Sequence, residues 1–532
     1  MKSVYTILFL IFINFLFLNA NNEEKVLIKN LSTKQGKERV DCLNEISKIL
    51  REDKPQEARN YIYQALKLSK ELGYYQGEGQ ALLNLGVTES VLGNNTKAEE
   101  TFNQTLKIYK NHSDNLGIIK SNISIGHIKT ILGDYKNALI ILDQTLKLSK
   151  KYHFNEEIAL SNMALGQLYK EMNDNNKALE YLSKSVEILE NLKHIKNLVK
   201  SINSIGNIYY NLKLYDKSLS AYFEALSYTD SLNDKSLIET IYNNIGLIYS
   251  EKGDSKEALK FYFKSLKKSK VIQDTLSIAV TYLNIGNEYI KTKEKEKAID
   301  FINKSIKILK TIDSPIDLGA AYLVRGSFFK DINLSELAKY DLSAALAIYK
   351  ELDLINGQRD AYFLLAQTYI ISNNSLLANN ALLKYNSFND SLFFLERIKS
   401  LEITNAKIDA LTQVEKLDSE LKLEKEKSAK LLLIIVSIIT LLSMIVVFFF
   451  ARKRLLNKLY QNKQLLDFVK VNNRNLYDSF STDVKDRMYL LGNYILESND
   501  SKNYELLKSS FDDVSHSISD VLVKYNIDIN SN

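Results

Sequence analysis

The sequence predicts an all-α protein, built as a solenoid of paired helices and continued by a helix that crosses a membrane. Three observations support this fold class: a glycine that recurs at a constant interval, an uncharged apolar run at 431–451, and a scarcity of helix breakers. The chain of 532 residues contains only 18 Gly and 2 Pro, which favours helices over strands. It is also too long for one core, so several domains or an array of repeats are expected.

Composition and motifs argue against most chemical functions. The formal net charge of +6 is small for this length, and no basic patch interleaved with aromatic residues suggests a nucleic-acid partner. Cys42 is the only cysteine, so we expect neither an internal disulfide nor a thiolate metal cluster. The five histidines are scattered, and no nucleophile or phosphate-binding motif is found. We expect no catalytic residue, no metal and no cofactor.

Residues 1–20 have the parts of a secretory signal peptide. Lys2 provides the positive start, residues 4–18 are almost entirely apolar, and Ala20 ends the segment at a small residue. We expect this segment to be removed after Ala20. A retained membrane anchor is the alternative.

Internal repeats of about 40 residues occupy the range 39–390, and their period is within that of known helical solenoids. A glycine recurs seven times at intervals of 40 residues, and a small residue follows each glycine twelve positions later. Ile46 with Ala58, and Ala366 with Ala378, extend the pattern at the two ends, which makes nine repeats with atypical outer units. The central pairs are Gly86 with Ala98, Gly126 with Ala138, Gly166 with Ala178, Gly206 with Ser218, Gly246 with Ala258, Gly286 with Ala298, and Gly326 with Ala338.

Each repeat is predicted to be a pair of antiparallel helices. Small side chains at the crossing allow the two backbones to approach closely, and pairs such as "GD" or "ND" provide the turn between the helices. In the third repeat, Asp134 is the expected cap of the second helix, and Ala138, Leu142 and Leu146 continue its apolar face. A single pair cannot bury that face, so neighbouring repeats must stack.

These residues resemble the tetratricopeptide repeat (TPR) family, which has a small residue in the first helix, alanine in the second, and a bulky residue four positions later. The repeats are longer than the family's usual length of about 34 residues, which we expect to lengthen the helices. They also lack the family's tryptophan. The resemblance implies a right-handed superhelix whose concave groove, lined by the first helices, binds peptides or protein segments. The bulky residues include Phe102, Leu182, Tyr222, Tyr262 and Leu342.

Two positions of the first helices are candidate ligand contacts in this groove. Amide side chains there suit an extended peptide, because each offers both a donor and an acceptor to the peptide backbone. A solvated face in a chain rich in asparagine is the alternative. The candidates are His127, Gln167, Asn207 and Asn287, one residue after a repeat glycine, and Asn84, Asn244 and Asn284, two residues before one.

Residues 396–430 and 431–451 are predicted to continue as one helix. The first segment has no Gly or Pro and carries apolar residues three and four apart, which predicts a coiled coil and a homodimer, or else a single charged helix. The second is uncharged and, at ~1.5 Å per residue, long enough for the ~30 Å hydrocarbon core. With the signal peptide, this predicts a bacterial inner-membrane protein with residues 21–430 in the periplasm and residues 452–532 in the cytoplasm.

The cytoplasmic segment 452–532 is predicted to form a helical hairpin. With its motifs "LYDS" at 476–479 and "DDVSHSISDVL" at 512–522, the chain resembles the TPR-type sensor histidine kinases of Bacteroidetes-like bacteria. The resemblance places Tyr477 where those proteins have the phosphoacceptor histidine, and tyrosine cannot form a phosphoramidate. No ATP-binding domain is recognised before Asn532, so a catalytically inactive, kinase-derived dimerisation domain is implied. An unrelated amphipathic hairpin is the alternative.

Together, these elements predict a membrane-anchored module that senses or scaffolds exported proteins or peptides. We expect it to relay a signal to a cytoplasmic histidine kinase or response regulator through its inactive tail. The alternative is an envelope assembly scaffold without a signalling role. An active kinase is not expected.

Overall fold

The computed structural model describes residues 26–51, 54–229, 235–312 and 314–459. The predicted signal peptide and the cytoplasmic segment from residue 460 onward, with Tyr477, lie outside these described residues. Within them the secondary structure is helical and contains no strand, which confirms the all-α fold class. The chain divides into two compact units, and the boundary lies between Glu415 and Lys416.

The helices follow one another with a regular spacing of about 20 residues, which is half of the sequence repeat. Most are 17 residues long, as in α4 and α5, so the helices account for most of each 40-residue repeat. Their bounds are α1 at 26–31, α2 Gly36–Leu50, α3 Pro55–Glu71, α4 Tyr75–Val91, α5 Asn95–Asn111, α6 Asn115–Ile131, α7 Tyr135–Lys151, α8 Asn155–Glu171, α9 Asn175–Asn191, α10 Ile195–Asn211, α11 Tyr215–Ser227, α12 Lys235–Glu251, α13 Ser255–Ile272, α14 Thr275–Lys291, α15 Lys295–Leu309, α16 Pro315–Asp331, α17 Ser335–Glu351, α18 Ile355–Ile371 and α19 Ser375–Leu459.

From α2 onward, the helices form the predicted pairs, from α2 with α3 to α16 with α17. In the ninth pair, the ring of Tyr362 on α18 stacks on that of Phe388 near the start of α19, with 5.8 Å between the ring centroids. We call the even-numbered members the first helices and the odd-numbered members the second helices. The turns between helices use a left-handed residue, which is glycine at Gly133 (φ +79°) and asparagine at Asn173 (φ +58°). Directly after Gly133, the side chain of Asp134 accepts a hydrogen bond from the backbone N–H of Asn137 at 3.3 Å, which confirms the predicted cap.

The repeat glycines make room for the bulky residue that the second helix of the same repeat inserts. A Cβ atom on Gly126 would lie 2.4 Å from Leu142, and one on Gly206 would lie 2.5 Å from the ring of Tyr222. Both partners are fully buried in the core between the helices. In the fifth repeat, Ser218 replaces the usual alanine, and its hydroxyl donates to the carbonyl of Gly206 at 2.7 Å. The glycine therefore provides the close helix crossing that the spacing predicts.

The first helices also pack on one another from repeat to repeat. This packing is extensive between α2 and α4, between α6 and α8, and between α16 and α18, whereas no two second helices pack to a similar extent within the described ranges. An array whose repeats pack more closely on one side curves toward that side. The first helices therefore form the inner surface of the solenoid.

Helix α19 begins as the second helix of the ninth repeat, where Ala378 and Ala381 are buried. It is helical throughout the predicted coiled-coil segment 396–430, and pairing with a second copy stays a prediction. Over residues 431–451 its large apolar side chains, such as Leu433 and Val447, are exposed. Among the described helices, α19 alone is long and apolar enough to cross a membrane, judged by length and composition.

Candidate ligand-binding surface on the first helices

The structure places the predicted contact residues on the first helices α4 to α14, but with different exposure. His127 on α6 and Asn287 on α14 are exposed, and both stand one residue after a repeat glycine. Gln167 on α8 is half-buried, and its side-chain amide donates to Glu171 of the same helix at 2.8 Å. The remaining candidates form hydrogen bonds to side chains of neighbouring helices; they are Asn207, Asn244, Asn284 and Asn84.

Helices α10, α12 and α14 carry a set of linked amides on their inner surface. The Nδ2 atom of Asn244 lies 3.3 Å from Oδ1 of Asn203 and 3.4 Å from Oδ1 of Asn207, so it bridges α12 to α10. The Nδ2 atom of Asn284 donates to Oδ1 of Asn243 at 3.0 Å, so α14 is bridged to α12 in the same way. We call these five residues, Asn203, Asn207, Asn243, Asn244 and Asn284, the amide ladder.

The amide ladder is held from behind by a buried tyrosine. The hydroxyl of Tyr222, which is 1% exposed, donates to Oδ1 of Asn207 at 2.5 Å. The bonds of the ladder do not use the Oδ1 atoms of Asn244 and Asn284, and the five amides are only half-buried. The ladder therefore presents oriented polar atoms at the inner surface, at positions fixed by the packing of the helices.

Asn203 and Asn243 were not among the predicted contacts. They stand three residues before the glycines of two consecutive repeats, in "NSIG" and "NNIG". The repeat spacing was the available signal, since the same amide recurs one repeat later and both residues lie on first helices.

Asn84 does not contribute to this surface, which corrects its prediction as a groove contact. It occupies the same repeat position as Asn244 and Asn284 but is completely buried. Its Nδ2 atom donates to the carbonyl of Asn44 at 2.9 Å and to the hydroxyl of Ser47 at 2.8 Å, while its Oδ1 accepts from Arg51 at 2.8 Å. Because α2 packs closely on α4 at the start of the array, Asn84 links two helices instead of facing solvent.

His127 lies on a part of the inner surface where the surrounding protein and a nearby positive charge both lower its pKa. Its side chain reaches solvent, but the surrounding protein displaces bulk water, and this desolvation lowers the pKa of the imidazole. The positive charge of Lys200, two repeats away on α10, lowers the pKa further. The imidazole therefore favours its neutral form, which has one donor and one acceptor nitrogen.

Comparison with known proteins identifies the repeats. Residues 45–111, 118–191 and 237–311 match the family model described as tetratricopeptide repeat, so the chain contains tetratricopeptide repeats. No curated protein matches the chain.

Solved structures with similar folds include two bacterial proteins. One is the apo form of the quorum sensor NprR from B. thuringiensis, with 19% identity and a TM-score of 0.49, covering 66% of this chain and 99% of that chain. Another is the aspartyl phosphate phosphatase F from Bacillus subtilis, with 16% identity and a TM-score of 0.45, covering 65% of this chain and 92% of that chain. Likenesses this distant carry no information on the ligand or activity of the present chain.

Proposed function

We propose that the inner surface of the repeats binds a peptide or an extended segment of another protein, with the amide ladder as its central contact. The observation that carries this proposal is the bonding of Asn244 and Asn284 to the preceding repeat, at equivalent positions of two consecutive repeats. An extended backbone exposes alternating donors and acceptors, and amide side chains can satisfy both kinds of group. The contacts would thus recognise the backbone more than a particular sequence.

The linkage of the amides also favours binding thermodynamically. A free asparagine side chain loses rotamer freedom when it contacts a ligand, at a cost of about 0.5–1.5 kcal/mol per immobilised side chain. Asn244 is already held by Asn203 and Asn207, so most of this cost falls on folding instead of on binding. A ligand that meets several pre-oriented amides gains affinity without requiring a deep apolar pocket.

A site-specific photo-crosslinker tests this proposal in the full-length protein in its native membrane. The crosslinker replaces the exposed Asn287 on α14, and the control replaces Tyr340, which is 71% exposed on the second helix α17. We expect protein or peptide adducts at position 287, reduced when Asn244 and Asn284 are both changed to leucine. Equal adducts at positions 287 and 340, unaffected by the leucine changes, would contradict the proposal.

We further propose that residues 431–451 of α19 span the bacterial inner membrane, with residues 21–430 in the periplasm and residues 452–532 in the cytoplasm. The exposed apolar side chains of this stretch support a lipid environment. Lys427 and Lys430 precede the stretch and Arg452 to Arg454 follow it, so the positive charges do not decide the orientation, which rests on the predicted signal peptide that would export residues 21–430. Alkaline phosphatase fused after residue 395 should be active, and the same enzyme fused after residue 458 should be inactive. The reverse pattern would refute this topology.

The tail is proposed to act as a catalytically inactive relay. In this proposal the chain forms a homodimer through residues 396–430 and 452–532 and modulates a separate histidine kinase or response regulator. Deletion of 459–532, followed by crosslinking and mass spectrometry, tests the relay. Loss of a co-purified kinase or regulator would support it, whereas unchanged recovery of envelope proteins alone would favour a scaffold.

A further inference from the structure

Helix α19 returns to the solenoid far from where it leaves the ninth repeat. Between residues 389 and 402 most of its side chains are exposed, but Ile403 is 8% exposed and Ala410 is fully buried. Ala406 and Lys407, between them, are half-buried. These four residues are spaced three and four apart, so one face of the helix is covered over two turns.

Charged side chains identify the surface that this face contacts. Lys407 forms an ion pair with Asp174, the N-cap of α9, and its Nζ atom lies 5.9 Å from the ring centroid of Tyr169 on α8. Asp409 accepts a hydrogen bond from Lys136 on α7 at 3.0 Å. These partners belong to the third and fourth repeats and are separated from α19 by 233 and 273 positions in the sequence.

We infer that residues 403–410 form a releasable strap that ties the third and fourth repeats to the helix leading out of the ninth. The contact closes a loop through the intervening repeats, so their curvature and the position of this helix are no longer independent. A protein that bends or straightens the array would have to break the strap or pull on it. The strap thus offers a physical route from the repeats to α19 and does not depend on peptide binding.

The composition of the contact explains why the strap can open. Two of the four covered side chains are alanines, which bury little apolar area compared with the leucines and tyrosines of the repeat cores. Of the two ion pairs, Lys136 with Asp409 is well exposed, at 41% and 59%, so water and salt screen it. Lys407 with Asp174 is more enclosed, at 30% and 21%, and Asp174 is simultaneously occupied as a helix cap. Lys407 is therefore the residue whose change should release the strap.

Cysteine crosslinking of the full-length protein in membranes tests the contact. In a Cys42→Ala background, Lys136→Cys is combined with Asp409→Cys and treated with a short bismaleimide. The control combines Lys136→Cys with Glu396→Cys, which lies about 20 Å further back along the same helix. We expect a crosslinked product that migrates as a single chain for the first pair and several-fold less for the control. Equal yields for the two pairs would overturn the contact.

The same crosslink tests whether Lys407 holds the strap. Lys407→Glu places like charges at Asp174 and should lower the yield about tenfold, as expected for the loss of a charged hydrogen bond. Lys407→Arg should preserve the yield, and Lys399→Glu, an exposed charge reversal on the same helix, should leave it unchanged. A yield unaffected by Lys407→Glu would refute a releasable strap held by this residue. A product that joins two chains would assign the contact to a second copy and overturn the intramolecular strap.

Discussion

The close crossing of paired helices makes a specific prediction for Gly246, the repeat glycine on α12. A Cβ atom at this position would lie 2.6 Å from both the Cδ1 and the Cε1 atoms of Tyr262. Carbon atoms in van der Waals contact are separated by ~3.5–4.0 Å, so the ring would have to move by about 1 Å. Tyr262 is 1% exposed and packs in one cluster with Ala258, Ile285 and Tyr289, which leaves the ring no open space.

The net effect of Gly246→Ala follows from two opposing terms. Overpacking of a core costs about 1–3 kcal/mol, and a displacement of about 1 Å against a buried ring belongs near the upper end of that range. Replacement of glycine by alanine inside a helix returns about 1 kcal/mol through backbone entropy. We therefore expect Gly246→Ala to lower the free energy of unfolding by about 2 kcal/mol, although alanine is the better helix former.

A second substitution separates the cost of overpacking from the gain in helix propensity. With Tyr262→Ala, the ring that clashes is absent, so Gly246→Ala should become stabilising by up to about 1 kcal/mol. Urea unfolding of the full-length protein in detergent, followed by circular dichroism, measures both changes. Hydrogen exchange in α12 and α13 localises them, since repeat arrays can unfold in parts. If Gly246→Ala stabilises the protein in both backgrounds, the glycine is not required for the crossing and the reasoning fails.

Three further outcomes are expected from the same unfolding measurement. Arg325→Met should cost about 3–5 kcal/mol, because Asp341, which is 1% exposed and 2.6 Å from the guanidinium, would be left as a buried unpaired charge; Arg325→Met with Asp341→Leu should recover most of that loss. Asn84→Ala should lower the free energy of unfolding by about 1–3 kcal/mol and speed hydrogen exchange in α2, because the buried carbonyl of Asn44 and hydroxyl of Ser47 lose their hydrogen bonds. Unchanged exchange in α2 would show that Asn84 does not hold α2 against α4. Burial raises the pKa of Glu239 in the folded state, although the hydroxyl of Ser265 donates to its carboxyl group at 2.6 Å. The folded protein therefore holds this proton more tightly than the unfolded chain does, and stability is lost as the pH rises through the folded-state pKa. Glu239→Gln should therefore stabilise the protein at about pH 7 and have little effect at about pH 4, and the opposite pH dependence would contradict the sign.

The periodic features of the sequence predicted the repeat architecture because each is a local requirement of a helix pair. The repeat glycine is needed where a second helix inserts a bulky side chain, as at Gly126 and Leu142. Asp134 caps the next helix because it follows a left-handed turn residue. The glycine recurs every 40 residues in the seven central repeats, and extending this step by one repeat at each end, to Ile46 with Ala58 and to Ala366 with Ala378, was enough to predict nine pairs and the order of their helices.

The candidate surface was only partly predictable, since equivalent repeat positions have different neighbours. Asn84, Asn244 and Asn284 all stand two residues before a repeat glycine, but only Asn84 meets Ser47 on α2 and Arg51 at the end of α2 and is buried. The rule that placed all three at a groove considers one repeat at a time. It takes no account of which residues of the neighbouring repeat face that position, and these residues decide whether an amide faces a ligand or another helix.

The sequence by itself thus determined the helices, their pairing, the turns and the apolar stretch of α19, because these depend on neighbours within about one repeat. Only the tertiary structure decided which amides link into a ladder, and that Lys407 meets Asp174 across 233 positions. The small rotation between successive repeats accumulates along the array, so the place where α19 returns depends on all the repeats together. No local pattern in the sequence therefore predicts where α19 contacts the array.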